Sequence, residues 1–324
     1  MNKKAILSGI FFSLFFASIF FFAYTRLSPA QTYHCKYNHY MHLDDNLDIE
    51  DPNDFTVAVM GDCRGNTEAF EQIIWQAKKN SDFAFILGDL VHWGKPEQFD
   101  FFIRELNEEQ GELPVYTVIG NHELDYKKSS DLYKKVLGAT HYWLMSGKTL
   151  FVAFNNVEKS VWKDELKWLN NTLAAKSPEA SLVFVLMHKQ PHYEYREDHR
   201  PLSKKETRQL MKVLHRYPVD AVFASHLHSY VNYTHEGIPV YITGEAGAPQ
   251  DRNPPIYGYV LLHIKNDNFS VEHIEMENVT NWDYFEYVFL VALFPVWPWA
   301  SLSFFGMLCL TLYPYYPRKK RRSS

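Results

Sequence analysis

Short, nearly continuous apolar runs alternate with amphipathic stretches through the middle of the chain, and a longer apolar tract lies at each end. The runs at 55–60, 83–87, 115–119, 181–187 and 219–224 are rich in β-branched and aromatic residues. Hydrophobicity that unbroken fits strands covered on both faces. Between the first two runs, Phe70, Ile73, Ile74 and Ala77 recur at helical spacing. Pro96 suits the first turn of a second helix, whose Phe102, Ile103 and Leu106 would face the sheet. Further amphipathic stretches carry Trp162, Leu166 and Leu169, then Leu210, Val213 and Leu214, and the chain reads as β again over 256–264 and 269–274. Strands alternating with helices predict an α/β domain over 54–278, and no internal repeat interrupts it.

The tract at 5–24 carries no charge and is long enough, as a helix, to cross a hydrocarbon core of about 30 Å. It exceeds an ordinary signal-peptide core, and Ser28-Pro29-Ala30 is a poor cleavage site, so residues 1–25 are expected to form an uncleaved anchor. Residues 26–53 read as a polar tether whose His34, His39 and His42 follow no metal-binding pattern. The second tract, within 286–314, contains Pro295 and Pro298, which kink a helix but are tolerated inside membranes. It would cross once, tilted or broken, or turn back as a hairpin. Lys3 and Lys4, with the Arg318–Arg322 cluster in the tail of 315–324, favour two crossings. Both basic ends would then stay cytoplasmic and the domain would lie on the extracytoplasmic side.

Seven of the 33 basic residues sit at those two ends, so 26 remain against 38 acidic residues, a balance of −12. A domain that acidic is a poor nucleic-acid binder. Small substrates and cations suit it better. Cys35, Cys63 and Cys309 form no disulfide framework, and free thiols are the simplest reading.

Each of the five apolar runs ends in a polar cluster. The first leads into Gly61-Asp62-Cys63-Arg64-Gly65-Asn66, the second into Gly88-Asp89-Leu90-Val91-His92-Trp93-Gly94, and the third into Gly120-Asn121-His122-Glu123. The fourth ends at His188 and the fifth at Ser225-His226-Leu227-His228. Ligands of open α/β sheets bind beyond the carboxyl ends of the strands, so these clusters should converge. Carboxylate and amide oxygens with imidazole nitrogens suit Mn, Fe, Zn or similar divalent ions.

This order of motifs, over about residues 55–250, resembles the calcineurin-like metallophosphoesterase family. The resemblance implies a four-layer sandwich, two central β-sheets flanked by helices, here with a transmembrane helix at each end. It implies two divalent metal ions: Asp62 and His228 on one, Asn121, His188 and His226 on the other, and Asp89 bridging them. It implies in-line attack of a metal-bridging hydroxide on a phosphomono- or phosphodiester, with His122 as the general acid. Asn121, His122 and Arg64 would meet the substrate, which is free or lipid-linked. Glu123 would orient His122 or simply close its loop, and the closing role is favoured.

Three positions depart from the family pattern. Arg64 stands where a histidine ligand is usual, and a guanidinium has no lone pair to offer a cation. It would either grip a phosphate oxygen or pair with a nearby carboxylate. Ser225 replaces a glycine, a change expected to cost little. Glu245, within Thr243-Gly244-Glu245-Ala246-Gly247, also replaces a glycine and would face the substrate. His92 reaches substrate or is a loop imidazole, and 190–200 would form a loop over the pocket, with His192 or Tyr193 near the leaving group. His141, His215, His235, His263 and His273 match no motif and read as structural. The competing function is a catalytically degenerate membrane module that binds a phosphorylated ligand or protein.

Overall fold

The computed structural model describes residues 49–64, 67–192, 201–250, 254–277 and 279. The expected membrane segments at 1–25 and 286–314, the tail at 315–324, most of the tether, Cys35, Cys309 and Tyr193 lie outside the described residues. Among the described residues, no helix is long and apolar enough to cross a membrane.

Two mixed sheets form the centre. In the first, β1 (Asp54–Met60), β2 (Phe83–Ile86) and β3 (Val115–Thr117) run parallel, and β10 (Gly258–Lys265) and β11 (Asn268–Glu275) extend the β1 edge as an antiparallel pair. In the second, β5 (Thr149–Ala153), β6 (Leu182–Lys189), β7 (Ala221–Ser225) and β9 (Ile238–Thr243) run parallel. The antiparallel strands β4 (Tyr142–Ser146) and β8 (Tyr230–His235) close its two edges.

Alternation along single strands assembles the layers. In β6, Leu182, Phe184 and Leu186 face the first sheet, while Val183, Val185 and Met187 face helices. A strand covered on both sides must be apolar at every position, which is why this run carries no polar break. The two sheets meet through aromatic rings: Phe83 packs edge-on to Phe151 at 5.6 Å between centroids, and Phe85 lies tilted against the same ring at 5.3 Å. On the outer face of the first sheet, α1 (Thr67–Asn80) buries Phe70, Ile73, Ile74 and Ala77, and α2 (Pro96–Glu109) buries Phe99, Phe102, Ile103 and Leu106. A short α3 (Asp131–Val136) adds Tyr133 to that cluster. On the outer face of the second sheet lie α4 (Trp162–Lys176) and α5 (Lys204–Leu214). The start of α5 is fixed by a capping box, in which Ser203 and Glu206 satisfy each other's backbone N–H groups. The order of layers is helices, sheet, sheet, helices.

All five expected strands and the four expected helices are present, and the later β segments are β10 and β11. The hairpin β4–β5, the edge strand β8 and α3 were not foreseen. Because β1, β2, β3, β6 and β7 are parallel within their sheets, their carboxyl ends deliver the five polar clusters as loops.

Candidate active site

Three of the site residues leave their strands in a left-handed backbone conformation: Asp62 at φ 54°, Asp89 at φ 54° and His226 at φ 69°. For non-glycine residues this costs on the order of 1–3 kcal/mol each, and such strain gathers at functional positions. It turns each side chain sharply back over the strand ends. The Asp62 N–H donates to the Gly88 carbonyl (3.0 Å), and the Arg64 N–H to the Asp89 carbonyl (3.1 Å), which locks the first two loops together. The second and third loops press closer still. A Cβ on Gly88 would come 2.6 Å from Cα of Gly120, and one on Gly120 would come 2.2 Å from the Asp89 nitrogen. Only glycine fits at either position.

Glu123 is the clasp of these loops. Its buried carboxylate accepts N–H groups of Asp89 (2.8 Å), Gly120 (2.7 Å), Leu90 (2.8 Å) and Val91 (3.1 Å). Burial, then the charge of Asp89, pushes its carboxyl up to about 8, and the N–H groups of Val91, Gly120 and Asp89 pull against that. All four contacts are donors, so the ionised form is the one this loop fits. The loop-closing role is the one its contacts serve.

The imidazoles are oriented by backbone carbonyls. Nδ1 of His188 donates to Leu87 (2.8 Å), Nδ1 of His228 to Pro249 (2.6 Å) and Nδ1 of His122 to His92 (2.6 Å). Each Nε2 is thereby turned toward the centre. Nε2 of His188 meets Nδ1 of His226 at 3.0 Å, Oδ1 of Asn121 at 3.1 Å and Oδ1 of Asp89 at 3.3 Å. Ligating atoms of Asp89, His188 and His226 all lie within 4.8 Å of one another, a grouping able to hold a metal ion. Burial first, then the charge of His188, lowers the His226 pKa to about 2, so its ring is neutral, the form that binds metal.

On the other side of Asp89 lie Asp62, His228 and Arg64. Oδ2 of Asp62 accepts the His226 N–H (2.6 Å) and the Ser225 hydroxyl, while its Oδ1 lies 3.3 Å from Nε2 of His228. Burial pushes the Asp62 carboxyl up, but the His228 contact and the charges of His228, His188 and Arg64 together hold it well below the carboxylate range. Burial works against a charge on His228 too, and Asp62 outweighs it, so that pKa sits above its ordinary value. Nε of Arg64 is 3.3 Å from Oδ2 of Asp89, and its Nη2 is 3.3 Å from Nε2 of His228. Two buried carboxylate oxygens, Oδ1 of Asp62 and Oδ2 of Asp89, accept no hydrogen bond. Around Nε2 of His188, the Asp89 carboxylate, the Asn121 amide oxygen and the neutral His226 ring are the mixed oxygen and nitrogen donors a cation site requires, so these residues fit a metal.

His122 flanks this centre. Its backbone N–H donates to Oδ1 of Asp89 (3.0 Å), and its Nε2 stands 3.7 Å from Oδ2 with the side chain 27% exposed. Burial lowers its pKa, the charge of Asp89 opposes that, and Arg64 adds to the lowering.

The structure brings Asp62, Arg64, Asp89, Asn121, His122, His188, His226 and His228 together. Ser225 does more than was expected, since its hydroxyl fixes Asp62. Glu245 is 2% exposed and bonded to Nε2 of His273 at 2.7 Å, so it is turned away from the role of facing a substrate. Of Arg64's two expected roles, the structure shows the carboxylate pairing. His92 supplies its carbonyl to His122, and burial lowers its own pKa to about 4. The backbone N–H of His192 is tied to Thr207 (2.8 Å). Cys63 is a free, buried thiol whose pKa burial raises well above the ordinary value. The orienting carbonyls of Leu87, His92 and Pro249 carry no signal in the sequence.

The sequence pattern of the calcineurin-like phosphoesterase family matches residues 55–230. No curated protein matches the chain. Among solved structures, a purple acid phosphatase, PPD1, from yellow lupin seeds is similar in fold (TM-score 0.58, 16% identity), the match covering 68% of this chain and 51% of that one. The chain therefore spans about half of the lupin enzyme's length. A dimetal phosphatase from Danio rerio is similar over 69% of this chain and 96% of its own (TM-score 0.53, 14% identity). GAP50, the anchor in the inner membrane complex of Plasmodium, is similar over 69% and 85% (TM-score 0.51, 14% identity).

Proposed function

Because the chain belongs to the calcineurin-like phosphoesterase family, whose members are hydrolases of phosphoester bonds, we propose that it cleaves phosphomono- or phosphodiesters with the help of divalent metal at the strand ends. One observation carries this reading. Asp89, Asn121, His188 and His226 come from four separate strand ends, yet their ligating atoms cluster around Nε2 of His188 within hydrogen-bonding distance.

Asp89, Asn121, His188 and His226 would hold one ion, and Asp62 and His228 with Asp89 are the set implied for another. Bound there, divalent metal supplies the charge that polarises a phosphoryl group and the Lewis acidity that activates water. The chain's own groups do the rest. Asn121 and Arg64 border the place where phosphoryl oxygens would lie. His122, pinned through Nδ1 to His92, presents Nε2 as the atom able to hand a proton to the leaving alkoxide. Only its imidazolium form carries that proton, since Nδ1 keeps the other.

The two apolar tracts and their basic flanks support a membrane-bound enzyme with the domain extracytoplasmic, both termini cytoplasmic, and a free or lipid-linked phosphoester as substrate. A second reading, a module that binds a phosphorylated ligand without cleaving it, has Arg64 as its specific support, because that side chain engages both Asp89 and His228. The test is hydrolysis of p-nitrophenyl phosphate and bis-p-nitrophenyl phosphate by the purified full-length chain with Mn²⁺ or Zn²⁺. Turnover that disappears in Asp89→Ala supports the enzyme. Turnover unchanged by that substitution, or none in a folded wild type, overturns it.

A further inference from the structure

Resting on the phosphoesterase reading, we propose that the Arg64 guanidinium takes the place of one of the two cations the family resemblance implies, so that the centre binds a single divalent ion among Asp89, Asn121, His188 and His226. The argument starts from position. Arg64 follows the strained turn at Asp62, and its backbone N–H is fixed to the Asp89 carbonyl at 3.1 Å. From there its side chain, only 11% exposed, reaches into the space bounded by Asp62, Asp89 and His228.

Its nitrogens occupy what a metal would need. Nε lies 3.3 Å from Oδ2 of Asp89, close enough for an ion pair though not aligned for a hydrogen bond. Nη2 lies 3.3 Å from Nε2 of His228. With its Nδ1 proton committed to the Pro249 carbonyl, a neutral His228 has one lone pair left, on Nε2, and the guanidinium N–H is placed to use it. A protonated His228 has no lone pair at all. In neither form does Nε2 remain for a cation. Asp62 keeps only Oδ1 without a hydrogen bond, since its Oδ2 holds the Ser225 hydroxyl and the His226 N–H, and one oxygen is no chelating set.

Charge leads to the same conclusion. A guanidinium is always charged and offers donors only, so it neutralises Asp89 as a cation would but accepts no ligand. On the far side of Asp89 no Arg or Lys contact intrudes among the described hydrogen bonds and ion pairs of Asn121, His188 and His226. The donor set there is complete, while on the other side Arg64 engages Asp89 and His228 and only Oδ1 of Asp62 is left.

Metal content and spectroscopy test this without relying on catalysis. The full-length chain is purified with detergent, loaded with Mn²⁺, freed of excess ion and analysed for metal by mass spectrometry. About one equivalent per folded chain is expected, and about two in Arg64→His, which restores an imidazole ligand. Electron paramagnetic resonance of the Mn²⁺-loaded wild type should give the hyperfine pattern of an isolated ion, and that result does not depend on the variant folding. Two equivalents with an exchange-coupled spectrum in the wild type overturn the single-ion assignment and leave the hydrolase reading intact. No bound metal in a folded wild type overturns both.

Discussion

Nε2 of His188 lies 3.0 Å from Nδ1 of His226, although 38 positions separate the two residues and they leave different strands. With Nδ1 of His188 bonded to Leu87, the pair faces Asn121 and Asp89 rather than solvent. Changing a residue that merely orients a metal ligand costs about 10–100-fold in affinity, so removing a ligand should cost more than about 100-fold. His188→Ala and His226→Ala are each expected to lose bound metal on dialysis and turnover with it. Isothermal titration with Zn²⁺ checks this. Affinity equal to wild type in either variant would remove that residue from the site.

His122 should matter in proportion to how badly the leaving group needs a proton. His122→Ala is expected to lower kcat by about 10²–10⁴-fold for an alkyl phosphate ester. The loss should be much smaller for p-nitrophenyl phosphate, whose leaving group departs readily as the anion. Equal losses on the two substrates would assign His122 to binding or positioning instead.

Glu123 offers a test of the loop clasp. In Glu123→Gln the amide nitrogen would face two backbone N–H groups that the carboxylate now accepts. Buried donors left without acceptors cost about 1–3 kcal/mol each, so a loss of at least about 2 kcal/mol is expected in urea unfolding. A change near zero would mean that the native residue is already protonated.

Glu71, on α1, gives a pH dependence away from the site. Burial first, then a hydrogen bond to Glu105 and the charges of Glu105, Glu109 and Glu108, pushes its carboxyl up to about 7. The folded chain therefore holds this proton more tightly than the unfolded chain does. The group's contribution is present below its ordinary value near 4.5 and is lost as pH rises through about 7. Glu71→Gln should match the wild type in Tm at acid pH and exceed it modestly at about pH 8, since the group is only partly buried and solvent screens it. A Tm difference that does not vary with pH would contradict the assignment.

The sequence made the buried strands and the site legible for one physical reason. Strands covered on both faces, such as β6, must be apolar throughout, and their runs stop where polar loop residues begin. Asp62, Asp89, Asn121, His188 and His226 all stand at such stops. Elements without that signature were missed. The edge strand β8 alternates through Tyr230-Val231-Asn232-Tyr233-Thr234-His235 with no buried position, so it resembles a polar loop. β4 and β5 are short apolar runs joined only by Gly147-Lys148, and each alone fits a helix segment as well as a strand. What Arg64 touches was beyond the sequence, because its choice between phosphate and carboxylate depends on where Asp89 and His228 lie in space. The same holds for Glu245, whose partner His273 comes from the last strand.

The most direct test of the account is the rate of phosphoester hydrolysis by the full-length chain before chelation, after chelation, and after Mn²⁺ or Zn²⁺ is returned. Activity should vanish with the metal, recover when it is restored, and fail to recover in Asn121→Ala. Hydrolysis that persists through chelation, or recovers equally in that variant, would contradict it.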